Sequence, residues 1–185
     1  MSKPDSGHFQ GTAGSSHSSS APFTNPSASD IIAERVKGLD LRPHPTKYKQ
    51  PSSKKLKSLR EKEKNQTITK QEYKLLDWSR RFSRRRSKGT VKFLQEERRR
   101  IKQGLPTTRN WSAEQKRDLL QKKHPKFNGK SMHLHHTYPA SIYPHLADRH
   151  EVIYPATRHE HIEGWHGGNT RNYLPGRPIK PKTDF

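Results

Sequence analysis

Apolar positions are sparse in this chain and come in short periodic runs set between long polar stretches. Ile31, Ile32 and Val36 follow Ser29 and Asp30 at helical spacing and precede Gly38, which predicts a short helix with a glycine stop. Pro43 and Pro45 then break the chain, and Lys54 to Lys64 reads as a second helix. Thr69 followed by Glu72 forms a capping box that opens a third, running through Tyr73, Leu76 and Phe82 with an interruption expected at Gly89. Val91, Leu94 and Ile101 share one face of a further helix ended by Gly104 and Pro106, and Ser112 with Gln115 caps a last one carrying Leu119 and Leu120. Beyond the Asn128-Gly129 turn the period changes. The run SMHLHHTYP reads as a short strand, EVIYPAT as a second, and RHEHIEGWHGGNTRN as a helix or helical turn ended by Gly167 and Gly168.

Only 26% of the 185 residues are hydrophobic, so the chain buries one modest core and carries one catalytic unit with tails. Three regions follow: a flexible Ser/Gly/Pro/Thr tail over residues 1–28, a basic helical region over 29–130, and a compact C-terminal core over 131–185. The formal charge is +21, and residues 46–130 hold 28 basic against 8 acidic side chains, so the excess is concentrated in the helical region. Segments such as RRFSRRRSKG repel themselves unless an anion lies nearby, which favours a nucleic-acid backbone over a merely solvated face; a basic face for an acidic protein predicts much the same composition. The absence of cysteine removes disulfides, thiolate sites and cysteine nucleophiles, leaving His, Asp, Glu or Asn to hold any metal. No apolar run approaches the ~20 residues of a membrane span, so no membrane anchor is expected, and the N-terminus has no secretory apolar stretch.

Nine of the twelve histidines fall between His124 and His166, and that clustering directs attention to one site. On a strand His133 and His135 share one side and His136 takes the other. Hydrolysis of a phosphodiester needs a base for water, a cation for the developing charge and a way to stabilise the leaving oxygen; imidazole, with an ordinary pKa near 6.5, serves both as base and as ligand. A single strand histidine is ordinarily only a hydrogen-bonded side chain, and His124, His133, His145, His150 and His159 take that reading. Trp165 and Tyr138 read as core aromatics that position the site.

A hairpin, loop, strand and short helix with histidines on the first strand and on the helix resembles the HNH nuclease superfamily, over roughly His124 to Pro178. More narrowly, the doublet His135-His136, the later His161 and the segment His166-Gly167-Gly168 are similar to histidine-rich HNH variants at the ends of bacterial polymorphic toxins. The upstream runs SGHFQGTAGSS, ERVKGLDLRPHPTKYKQ and GLPTTRNW look like C-terminal modules of large secreted toxins. The resemblance implies an α+β fold with a small ββα-metal core among basic helices. It makes His136 the general base and gives the metal to His135, His161 and His166, although a spacing of five residues suits a helix end or kink better than a regular helix. The usual Asn between strand and ligand helix is missing; Asn169 and Glu160 are candidates for its orienting role, and Arg171 for a phosphate contact.

These readings converge on a metal-dependent endonuclease toxin that cuts DNA with little sequence specificity, used in interbacterial competition. Its cofactor is one divalent ion, Zn, Ni, Mg or Mn, since imidazole ligands alone do not choose among them. Its partners are DNA and an acidic cognate immunity protein, and it is expected to be secreted or delivered and to act in the cytoplasm of a target bacterium. The competing expectations are an RNase on the same scaffold and a non-catalytic basic nucleic-acid-binding module with a structural metal.

Overall fold

Four helices open on side-chain caps that the sequence announces. The computed structural model describes residues 25–185, so the tail expected over residues 1–28 lies, up to residue 24, outside the described residues. Helix α1 (Ala28–Arg35) starts at Ser27 with a capping box to Asp30, and α2 (Ser53–Lys64) starts at Ser52. Helix α3 (Lys70–Lys102) starts at Thr69 with Glu72, and α4 (Ala113–Leu120) at Ser112 with Gln115.

The expected interruption at Gly89 is not there. Helix α3 runs unbroken for 33 residues, joining the two helices read on either side of that glycine. A Cβ at Gly89 would lie 2.5 Å from the carbonyl oxygen of Ala147, in a loop pressed onto the middle of the helix. Glycine in a helix costs about 1 kcal/mol relative to alanine, and here it admits a close backbone approach rather than a break.

A tight hairpin, β1 (Lys126–Phe127) and β2 (Lys130–Ser131), turns through Asn128 and Gly129, both at positive φ (48° and 73°) as a two-residue turn of this hand requires. Strand β3 (His133–His136) pairs antiparallel with β4 (Ile153–Ala156), His133 opposite Ala156 and His136 opposite Ile153. The second strand is shorter than its sequence run: Glu151 and Val152 belong to a 3₁₀ turn (His150–Val152). A π-helical turn (Glu160–Trp165) follows β4, completing an α+β fold with a small ββα-like core.

One apolar core joins these pieces, with Ile32 of α1 and Val36 just after it, Phe93 and Leu94 of α3, Leu119 of α4, Val152, Ile153 and Trp165 all buried in it. Two enclosed carboxylates fix the frame around it. Glu97 of α3, fully buried, accepts from the Thr108 amide and from Trp111 Nε1 at 2.7 Å, with the Arg35 guanidinium 3.7 Å away. Arg109 and Glu160, both 3% exposed, form a buried ion pair, and Arg109 also donates to the carbonyls of Pro155 and Phe185. The connection between α3 and α4 is thereby tied to the end of β4 and the start of the π-helical turn.

Candidate metal centre

Strand alternation presents His133 and His135 to the π-helical turn and turns His136 away, as the pleat requires. His135 Nδ1 lies 3.0 Å from His161 Nε2. His161 and His166 are five residues apart, which in an α-helix would separate them by about 140° around the axis. The π-helical turn removes that difficulty. The His166 amide donates to the His161 carbonyl at 3.2 Å, an i to i+5 bond that brings residues five apart to the same side. Their ring centres are 4.8 Å apart, and those of His135 and His166 5.1 Å.

The ligand atoms of His135, His161 and His166 lie within 4.8 Å of one another. Bonds of about 2.0–2.1 Å to a tetrahedral ion separate neighbouring ligand nitrogens by roughly 3.3 Å, close to the His135–His161 spacing. The outer contacts suit the same role. His166 Nδ1 donates to the Asn172 carbonyl at 2.6 Å, which leaves Nε2 with its lone pair, and His161 Nδ1 faces His133 Nδ1 at 3.2 Å. Burial, reinforced by the neighbouring imidazoles, pushes His135 well below its ordinary pKa and brings His161 down to about 4, so both rings are neutral and free to ligate at neutral pH. The donor set fits one divalent ion of borderline softness, with room for exchangeable ligands.

His136 stands beside this trio, 9% exposed, with Nε2 2.9 Å from the Ala147 carbonyl. Donation from Nε2 places the lone pair of the neutral ring on Nδ1. Burial lowers the pKa of this ring to about 4, so the neutral form prevails. The hydrogen-bond partner of the His136 ring is a backbone carbonyl, which lies against Gly89. Glu160 is enclosed: its oxygens accept from Arg109, the Thr157 amide at 2.9 Å and the Asp184 amide at 2.7 Å.

Two clefts, of about 430 and 680 Å³, meet at His135, His136 and His161. Arg86 of α3 lines both, and sequence reasoning did not single it out among the basic residues. A signal existed. Ser79, Phe82, Gly89 and Phe93 are buried along one face of α3, and Arg86, itself exposed, stands in register with them, four residues after Phe82 and three before Gly89. Asn169 and Arg171 lie on an exposed turn in which Asn169 Oδ1 accepts from the Arg171 amide; Thr170 between them lines the smaller cleft. A second trio, Asp40, His44 and His145, gathers at the surface, but both Asp40 oxygens are held by Arg42 at 2.8 Å.

No curated protein and no solved structure matches this chain. Residues 76–157 match the family model Tox-GHH, described as a GHH signature containing HNH/Endo VII superfamily nuclease toxin. Within that span the adjacent histidine pair is His135-His136, preceded by Leu134 where the signature names glycine, and the match stops at Thr157, short of His161 and His166. Over residues 76–157, which hold most of helix α3, the histidine strand and the loop between β3 and β4, the chain is thus similar to nuclease toxins of the HNH/Endo VII superfamily.

Proposed function

We propose that this chain is a metal-dependent endonuclease toxin domain that hydrolyses DNA backbone with little regard to sequence. The observation that carries this reading is the meeting of three imidazoles around one point, with a fourth, His136, held beside them by a backbone carbonyl. His135, His161 and His166 would hold the ion. A divalent cation bound there supplies positive charge for the scissile phosphate and its leaving oxygen.

The chain's own groups do the rest. His136 Nδ1 takes the proton from the attacking water, and the bond from Nε2 to Ala147 keeps the ring in the tautomer that can accept it. Arg86, standing in both clefts, donates to a non-bridging phosphate oxygen and steadies the strand across the site. Arg171 and Asn169, on the exposed turn at the rim, contact the backbone farther out. Residues 29–130 serve as the gripping region and 131–185 as the cutting core. Contacts of this kind position a duplex without reading it, hence the weak sequence preference.

A domain with 28 basic and 8 acidic residues over 46–130 attracts an acidic protein as readily as it attracts nucleic acid, so the producing cell is assigned an acidic immunity protein that covers the clefts. Delivery into the cytoplasm of a competing bacterium follows from that pairing. The decisive assay incubates the purified chain with plasmid and with total RNA, with and without EDTA, alongside His136→Ala. Cleavage of plasmid that needs metal and is lost in the variant is expected. RNA degradation with plasmid intact would move the substrate to RNA, and activity indifferent to EDTA would overturn the metal mechanism.

A further inference from the structure

The two clefts that meet at the site are chemically unlike, and the difference bears on the substrate. The larger, more open one is lined beyond the shared residues by His124, Ser131 and His133 together with Met132 and Leu134, a wall of mixed polarity that leaves donors for sugar and phosphate. The smaller has an apolar and aromatic wall: Phe82 of α3, Trp165 of the π-helical turn, and Tyr173 and Leu174. Phe82 and Trp165 are closed into the protein, at 8% and 4% exposure, whereas Tyr173 and Leu174 stand open at 42% and 36%. Two exposed large apolar side chains in succession, on the rim of the site cleft, are an unusual use of surface in a chain this poor in hydrophobic residues.

Their placement is fixed by the site itself. The bond from His166 Nδ1 to the Asn172 carbonyl anchors the segment immediately before Tyr173. Leu174 then pairs with Arg177 across a tight turn whose Gly176, at φ 74°, lies against the Tyr138 ring. Gln50, which also lines this cleft, uses its side-chain amide nitrogen to donate to Ser79 Oγ at 3.0 Å, leaving its carbonyl oxygen for a ligand.

We infer that the smaller cleft is a nucleobase subsite, in which a base adjoining the scissile phosphate packs against Tyr173 and Leu174 while Arg86 holds the phosphate. A volume of about 430 Å³ lies within the range of small-ligand sites of about 300–1,000 Å³ and accommodates one nucleotide rather than a duplex. Both faces of a base in a duplex are covered by its neighbours and its edge is tied to a partner. A base that enters this cleft is therefore unpaired, and the preferred substrate is a single strand or a locally opened duplex. This rests on the nuclease reading and narrows its substrate from DNA in general to DNA with an unpaired nucleotide at the cut.

The test compares two single-stranded oligonucleotides of equal length and charge, one bearing bases and one abasic throughout, so that backbone attraction cancels. Binding is read by fluorescence anisotropy in EDTA with the whole chain, where no cutting occurs. The base-bearing strand is expected to bind about tenfold tighter or more, Tyr173→Ala to erase the difference, and Tyr173→Phe to keep it. Equal binding of the two strands by the unaltered protein, or a preference untouched by Tyr173→Ala, overturns the subsite. A parallel cleavage assay with metal distinguishes the two levels. Faster cutting of single strand than of duplex supports the subsite, equal cutting overturns it with the nuclease reading intact, and no cutting of either strand removes the nuclease reading itself.

Discussion

His136 is defined by two surroundings: the Ala147 carbonyl, which accepts the hydrogen bond from its Nε2, and the cleft it shares with Arg86. Replacing it with alanine is expected to lower the cleavage rate by about 10²–10⁴-fold, the usual contribution of a positioned general base, while metal affinity stays near that of the unaltered chain. Calorimetric metal titration beside a plasmid assay separates the two effects. Gly89 acts one step removed. Gly89→Ala would press a methyl group onto the Ala147 oxygen and shift the acceptor of His136. Cutting should fall at least tenfold, and ¹H–¹⁵N spectra of the His136 ring should show a mixture of tautomers in place of one. A single tautomer with full activity would show that the contact is passive.

The same burial gives a pH dependence of stability. His136 has its folded pKa lowered to about 4 from an ordinary 6.5, so between these values the unfolded chain binds more protons than the folded one. Its stabilising effect is complete above pH 6.5 and is lost as pH falls towards 4, on the order of 2 kcal/mol by pH 5. His161 acts in the same direction. Urea midpoints of the metal-free chain should therefore drop between pH 7 and pH 5, and a midpoint that rose on acidification would contradict the burial of these rings.

At the scale of elements, the π-helical turn and the ion pair beneath it decide whether the histidines meet. Arg109→Leu would leave Glu160 buried without its partner, at a cost of about 3–5 kcal/mol, and would loosen the start of the turn that carries His161. The thermal midpoint should fall by many degrees, with a weakening of metal binding that His136→Ala does not produce. Much of this level was legible in the sequence because it is local. The caps at Thr69-Glu72 and Ser112-Gln115, the Asn128-Gly129 turn and the histidine strand all rest on residues within a few positions of one another. What escaped depends on distant partners. Gly89 reads as a helix break until Ala147, 58 positions away in the chain, is seen against it. The five-residue spacing of His161 and His166 looked awkward because a π-helical turn has no strong sequence signature. Arg86 was one basic side chain among many, distinguished only by its helical register with the buried Phe82, Gly89 and Phe93.

Over the whole molecule, charge and chemistry are divided. On the proposed reading the long basic helix supplies grip, and Arg86, in register with its buried face, carries that grip into the clefts where the histidines stand. Affinity for nucleic acid should fall linearly in log–log fashion with salt, whereas metal affinity should hardly respond. A chain in which the histidines merely stabilised the fold would behave otherwise, unfolding on chelation with no cutting to lose.

The convergence of His135, His161 and His166 on a single ion is tested most directly by titrating Zn²⁺ or Ni²⁺ into the purified chain by calorimetry, with His161→Ala, His166→Ala and His136→Ala beside it. One ion per chain is expected, with affinity reduced at least 100-fold by either of the first two substitutions and little changed by the third. Binding indifferent to His161→Ala and His166→Ala, or no binding at all, would contradict a shared metal centre.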